Sequence, residues 1–187
     1  MRIILASASP RRRELLHSIY SDFEIIVADI NEDLPDGIAP EAGVRILAER
    51  KGAAVLSRVK DSSAVIISSD TLVELDGIAL GKPQDEMDAR RMLRALSGNE
   101  HFVRTGVAVH YGGLVASGTA STKVVFKALT DEQINTYVES GEPMDKAGSY
   151  GIQGAAGVFV ERIEGDMDTV IGLSLSLVKK LVDELTR

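Results

Sequence analysis

Cysteine is absent from the chain of 187 residues. That excludes disulfides, thiolate chemistry and cysteine-type zinc sites, and it suits a reducing compartment. Positive charge is in deficit: 21 Lys and Arg against 28 Asp and Glu give a formal net charge of -7. A general nucleic-acid binder needs a basic surface, so that class is set aside. An acidic protein that handles an anion must gather its cations locally. No apolar run is long enough to cross a bilayer. Arg2 before Ile3-Ile4-Leu5 resembles a signal peptide only superficially, since the apolar segment is short and Arg11-Arg12-Arg13 follow directly. The expectation is a cytoplasmic protein with neither membrane nor nucleic acid as partner. Repeats, low-complexity tracts and obvious linkers are missing too.

Several chemical signatures are also lacking. Gly81-Lys82-Pro83 has neither the upstream glycine nor the downstream Ser or Thr of a Walker A loop. The glycine-rich segment Asp145 to Gly154 is not GxGxxG and joins no strand to a helix, so a dinucleotide fingerprint is rejected. The acidic stretch Asp29 to Gly37 opens like an EF-hand, but Leu34 replaces the required glycine and Pro40 the closing glutamate. Gly-x-Ser-x-Gly does not occur. Ser68 stands where a haloacid-type phosphatase needs an aspartate two residues before its partner, which argues against covalent phosphoryl transfer through Asp70. His17, His101 and His110 share no metal-ligand spacing and are expected to be structural or exposed.

What is present begins with Arg2 to Leu16. Ile3-Ile4-Leu5 suits a buried strand, and Ala6-Ser7-Ala8-Ser9 is a small-residue turn. Ser9 is a good N-cap and Pro10 a good first helical residue. Strand, turn and helix start bring together free N–H groups, the positive end of a helix dipole, hydroxyls and up to three guanidiniums. That combination suits a polyphosphate.

Periodicity organises the remainder as α/β. Strands are expected at Phe23 to Ala28, Ala64 to Ser69, Leu72 to Leu75, Ile78 to Leu80, His101 to Tyr111, Leu114 to Phe126 and Val158 to Ile163. Asp76-Gly77 and Gly112-Gly113 read as hairpin turns. Helices are expected at Pro40 to Val59, Asp85 to Ser97 with Gly98 as stop, Thr130 to Ser140 with a capping box, and Val170 to Leu185. Glu32 and Asp70 each follow an expected strand, so both can reach one sheet edge, where α/β folds place working residues. Arg11, Arg12, Arg13, Lys51 and Lys82 are the cations to surround them. Carboxylates, a hard cation, Arg and Lys are the usual parts of phosphate chemistry. Composition and spacing lead to magnesium-dependent chemistry on a phosphorylated small molecule, and no further.

A set of short motifs is more specific. Leu5-Ala6-Ser7-x-Ser9-Pro10-Arg11-Arg12-x-Glu14-Leu15-Leu16, Asp29-Ile30-x-Glu32, Ser69-Asp70-Thr71 and Gly81-Lys82-Pro83 come first. Leu96-Ser97-Gly98, Thr105-Gly106-Val107, Asp145-Lys146-Ala147-Gly148-x-Tyr150-Gly151-Ile152-Gln153-Gly154 and Ile163-x-Gly165-Asp166 follow in order. Together they resemble the Maf family of nucleoside triphosphate pyrophosphatases. The resemblance implies a fold like that of the inosine triphosphate pyrophosphatases: an elongated mixed sheet flanked by helices, with two lobes and a cleft, as a single domain over residues 1–187. It implies hydrolysis of a nucleoside triphosphate to the monophosphate and pyrophosphate with a divalent metal (Mg2+, Mn2+ or Co2+), in a homodimer. Asp70 matches the family's proton acceptor, and Glu32, Lys51 and Lys82 match its acidic and basic cleft positions. Glu32 and Asp70 are thereby the expected metal ligands. Arg12, Thr71 and Gln153 match the positions that mark the branch acting on dTTP and UTP. The branch acting on 7-methyl-GTP typically has Gln where Thr71 stands. Asn31 and Ser174 are small departures, at positions where Asp and Pro are common.

Physical chemistry agrees with that assignment. The Gln153 amide offers both a donor and an acceptor, which suits the edge of uracil or thymine. Cytosine has the opposite pattern and is expected to be rejected. Ser7, Ser9 and the arginines are the expected seat of the triphosphate. Two other outcomes remain from the sequence: the same reaction on a modified purine nucleotide such as 7-methyl-GTP, or a nucleotide-binding regulator of cell division with little turnover.

Overall fold

The apolar run of β1 (Arg2–Leu5) is buried from Ile3 onward, as a strand covered on both faces must be. The computed structural model describes residues 1–35, 37–59 and 61–187; Asp36, within the expected acidic loop, lies outside them. β1 pairs in parallel with β2 (Glu24–Ile25) on one side and β3 (Ala64–Leu75) on the other, with Ile3 opposite Val65 and Leu5 opposite Ile67. β4 (Ile78–Leu80) folds back antiparallel on β3. β5 (Glu100–Tyr111), β6 (Leu114–Phe126) and β7 (Val160–Glu164) complete a seven-stranded mixed sheet of order β2-β1-β3-β5-β6-β7. The helices are α1 (Pro10–His17), α2 (Pro40–Leu56), α3 (Glu86–Leu96), α4 (Asp131–Glu139), α5 (Met167–Ile171) and α6 (Leu175–Thr186). The expected α/β class is therefore observed. No helix among the described residues is long and apolar enough to cross a membrane.

Two compact units divide the chain. The first comprises Met1–Thr71, Thr105–Ala120 and Gly172–Arg187. Alternation along its strands sorts side chains to two faces. Ile3, Leu5, Val65 and Ile67 pack with Leu16 of α1 and with Val178, Leu181 and Val182 of α6. Ile4 and Ile66 point the other way and pack with Val55 of α2. Each such fully buried aliphatic side chain contributes about 1.5–3 kcal/mol relative to exposure. The second unit comprises Leu72–Arg104 and Ser121–Ile171. Its core joins Leu93 and Leu96 of α3, Ile134 and Val138 of α4, and the rings of Phe126, Tyr137, Tyr150 and Phe159. Phe126 meets Tyr150 edge-on at 4.8 Å, and Tyr137 meets Phe159 likewise at 5.3 Å.

Local signals explain most boundaries. Ser9 Oγ accepts from Arg12 N, Asp85 caps α3, and Thr130 with Gln133 forms the full capping box of α4. The Asp76-Gly77 and Gly112-Gly113 turns have both central residues at positive φ, as tight hairpins require.

Four expectations need correction. The strand expected at Phe23 to Ala28 shortens to Glu24–Ile25, both exposed at the sheet's edge. The two strands expected around Asp70-Thr71 are one strand of 12 residues, because nothing between Ser68 and Leu72 demands a turn. Asp70 therefore sits within β3 and not beyond its end. The expected start of the last strand, Val158-Phe159, belongs to a 3-10 turn, Ala155–Phe159. The helix expected over Val170 to Leu185 is broken after Ile171. Gly172 adopts φ +127 there, and Ser174 caps a new helix by accepting from Leu177 N.

Candidate active site

Alternation along β3 decides which groups meet. Ser68 and Asp70 share the face toward α2, while Ser69 and Thr71 share the face toward α1. The Ser68 hydroxyl, fully buried, lies 2.7 Å from the Ala48 carbonyl of α2 and 3.3 Å from that of Ala108 on β5. This bond seats α2 against the sheet one turn before Lys51. Lys51 Nζ then lies 2.6 Å from Asp70 Oδ1 and 2.8 Å from Glu32 Oε1. The Lys51 and Asp70 side chains are 12% and 13% exposed, whereas Glu32 is 59% exposed. One ammonium thus joins a carboxylate of β3 to a carboxylate of the loop after β2. Removing one partner of so enclosed a pair strands the other charges.

On the opposite face, Arg12 is the hub. Its Nε donates to the Gly172 carbonyl at 2.8 Å, Nη1 to the Ser69 carbonyl at 2.8 Å and to Ser7 Oγ at 3.4 Å, and Nη2 to Thr71 Oγ1 at 3.1 Å. Thr71 Oγ1 also sits 3.0 Å from Thr105 Oγ1, and Ser69 Oγ donates to Gly172 O at 3.0 Å. Burial lowers the Arg12 guanidinium from its ordinary pKa, and the nearby charges of Asp70 and Glu32 oppose that shift. The side chain remains a cation. Arg12 therefore spends its planar fork on protein oxygens, holding α1, β3 and the α5–α6 break in one arrangement.

The opening turn of α1 differs in detail from the expectation. Pro10 has no N–H, Arg12 N donates to Ser9 Oγ, and Arg13 N donates to Ser9 O. Fewer backbone donors are open than the motif suggested. Ser7 Oγ accepts from Ser9 N as well as from Arg12. Both serine hydroxyls act here as acceptors, so each keeps its own proton to donate to an anion. Consecutive helical residues splay about 100° apart, so three arginines in a row cannot converge. Arg12 turns inward, Arg11 is half-buried and Arg13 is exposed. Lys82 and Gln153 belong to the second unit. Lys82 is exposed between β4 and α3, and Gln153 is exposed on the chain before the Ala155–Phe159 turn.

Sequence reasoning quoted Ser69 and Thr105 only as motif members, without a role, and it missed Gly172. The interrupted helix carried a readable signal: Gly172 followed by Ser174 is a stop and a fresh N-cap. Ser69 and Thr105 carried only their place in the motifs, since their contacts depend on partners distant in the chain.

The model of the Maf-like protein family matches residues 2–185. This chain belongs to that family. The matched span runs through both units. Among its relatives, a dTTP/UTP pyrophosphatase of Thermococcus gammatolerans is 46% identical over 179 residues, covering 96% of this chain and 94% of the relative. A dTTP/UTP pyrophosphatase of Clostridium novyi is 45% identical over 188 residues, covering 99% and 98%. A solved structure of the Staphylococcus aureus Ham1 protein aligns with TM-score 0.42 and 19% identity, over 67% of this chain and 72% of that one.

Within a Maf-like chain, Glu32, Asp70 and Lys51 are brought together by the first unit alone. The donor set also suits a divalent ion. Two carboxylates already converge on one cation, the Lys51 ammonium. No group of three or more His, Asp or Glu forms a complete metal cage among the described residues. Magnesium-like ions are commonly held by one or two carboxylates and finished by substrate phosphates.

Proposed function

We infer that this chain hydrolyses dTTP and UTP to the nucleoside monophosphate and pyrophosphate. The observation that carries this is the Lys51 bridge between Glu32 and Asp70, in a chain 45–46% identical to proteins named dTTP/UTP pyrophosphatase. Asp70 is the proton acceptor for a water attacking the α-phosphorus. Lys51 engages its Oδ1, which leaves Oδ2 to take the proton. Glu32 and Asp70 are the residues to hold a divalent ion (Mg2+, Mn2+ or Co2+), which neutralises phosphate charge when bound. Ser7 and Ser9 donate their hydroxyl protons to phosphate oxygens. Arg11, with Lys82, is proposed to meet the charge that develops on the leaving pyrophosphate, and Arg13, on the other side of α1, is given no part in that step.

Specificity is assigned to Arg12, Thr71 and Gln153. Arg12 and Thr71 are in direct contact, and their part is to keep β3 and its Asp70 in register with α1. Gln153 reads the donor and acceptor edge of uracil or thymine with its amide. The protein is proposed to work in the cytoplasm as a homodimer, on a free nucleotide.

A panel of UTP, dTTP, CTP, 7-methyl-GTP and ITP, assayed for pyrophosphate with and without divalent metal, tests the assignment. UTP and dTTP are expected to be cleaved at least about 100-fold more efficiently than CTP, and only with metal. Preferred cleavage of 7-methyl-GTP or ITP would move the chain to modified purines. Tight nucleotide binding without pyrophosphate release would make it a binding protein.

A further inference from the structure

The segment that carries Gln153 has no regular secondary structure between Tyr150 and Gly154, so something other than a helix or sheet ladder must hold its shape. The side chain that does so is Glu142, within the 3-10 turn Glu142–Asp145. Its Oε2 accepts from Ala155 N at 3.1 Å, and its Oε1 accepts from Tyr137 OH at 3.1 Å. The Tyr137 hydroxyl oxygen in turn accepts from Gly151 N at 3.3 Å. The two backbone amides that bracket Gln153, at residues 151 and 155, therefore end on one carboxylate–phenol pair. The carboxylate is pressed so closely beneath the turn that a Cβ on Gly154 would collide with it. Burial and the neighbouring Glu142 charge both push the Tyr137 hydroxyl upward from its ordinary pKa, so it stays protonated and donates. Lys146 Nζ donates to the Glu142 carbonyl at 2.7 Å, which pins the backbone of the same residue.

We propose that Glu142 is a positioning residue for substrate selection: it holds the residue 151–155 turn so that the Gln153 amide presents one fixed donor and acceptor pattern. This inference rests on the assignment of Gln153 to the nucleotide base. Glu142 touches no reacting atom, and its effect passes through the turn. An amide that rotates or drifts with a loose turn offers either polarity to a base and loses discrimination between uracil and cytosine.

The experiment compares Glu142→Ala, Glu142→Gln, Gln153→Ala and the Glu142→Ala/Gln153→Ala double variant. For each, kcat and KM are measured with UTP and CTP, and amide exchange is measured at Gly151 and Ala155. Glu142→Ala is expected to shrink the UTP-over-CTP preference by about 10-fold, mainly through KM for UTP, because a buried partner is lost. Exchange at residues 151 and 155 should rise in the same variant. In the Gln153→Ala background the Glu142→Ala change should alter the preference by less than about 2-fold, the signature of two residues acting as one unit. Glu142→Gln should restore most of the preference, since its amide oxygen can accept from Ala155 N while its NH2 donates to the Tyr137 hydroxyl oxygen.

A purely structural role would lower kcat/KM equally for UTP and CTP and leave their ratio intact. That result, or unchanged exchange at Ala155, overturns the proposal. If Gln153→Ala keeps full preference, the assignment of Gln153 to the base fails instead, whatever Glu142→Ala does. Should Glu142→Ala fold poorly, Tyr137→Phe removes the hydroxyl that accepts from Gly151 N and donates to Glu142, and it should raise exchange at Gly151 and shrink the UTP-over-CTP preference; unchanged exchange and preference in that variant overturn the proposal.

Discussion

In the first unit the charged groups stand on regular elements: Asp70 on β3, Lys51 on α2 and Arg12 on α1. In the second unit the corresponding candidate, Gln153, stands on irregular chain braced by side chains: Tyr137, Glu142 and Lys146. The first unit fixes its polar atoms by backbone periodicity, and its core is aliphatic. The second fixes them by rings and a carboxylate, and its core adds the rings of Phe126, Tyr137, Tyr150 and Phe159 to an aliphatic majority. The contrast fits the two roles proposed for these residues. Breaking a bond needs groups held to a fraction of an ångström, which strands and helices supply. Selecting a base needs a shape that can differ among relatives without disturbing the chemistry, which loops supply.

Asp70→Asn should break the first unit's contribution most completely. Turnover is expected to fall about 1000-fold, within the range for loss of a general base, while the fold persists. Pyrophosphate release beside a thermal melt checks both halves of that statement. Lys51→Met is next. It leaves Glu32 and Asp70 without their shared cation, so turnover should drop about 100-fold and the melting temperature by about 5 °C. Added Mg2+ should recover part of that melting temperature in the variant, and a melt with and without metal measures it. Gly172→Ala follows, at φ +127 and with the carbonyl that receives Arg12 and Ser69. Strain there should cost about 2 kcal/mol in denaturant unfolding and leave the second unit's Gln153 turn unchanged in amide exchange.

The smallest effect sharpens the comparison from the second unit. His101 is buried, bonded through Nε2 to Tyr150 at 2.8 Å, and burial lowers its pKa to about 4. The unfolded imidazole titrates near about 6.5. The unfolded state therefore binds the extra proton first, and stability is full above about pH 6.5 and declines as pH falls toward 4. Between pH 7 and 5 the loss from this residue should be about 1–2 kcal/mol. His110 of the first unit is lowered by burial too and adds a decline of the same sign. His101→Gln should remove the second unit's share alone, read as a shallower slope of unfolding free energy against pH.

Much of this architecture was legible before the structure because it is local. Ser9-Pro10, Thr130-x-x-Gln133 and the Gly-containing hairpin turns each carry their geometry within four residues. Glu32 and Asp70 were legible as a pair, although Asp70 lies within β3 and not after it, and Lys51 is what joins the two. What stayed hidden depends on distant partners. Arg12 reads as a phosphate ligand in the motif, and the structure adds bonds to protein oxygens, most of them 57 to 160 residues away. Lys51 lies on a helix with several basic residues; the family resemblance named it, whereas its contacts follow from the seating of α2 by Ser68. Glu142 showed nothing in sequence, because its value comes from a glycine 12 positions later that leaves room for its carboxylate.

Pyrophosphate release from UTP in the presence of Mg2+, compared between the native chain and Asp70→Asn, tests the central claim most directly. Native protein should yield UMP and pyrophosphate, while the folded variant yields almost none. Equal rates from both proteins would contradict the role given to the β3 carboxylate and with it the chemistry assigned to the Lys51-bridged site.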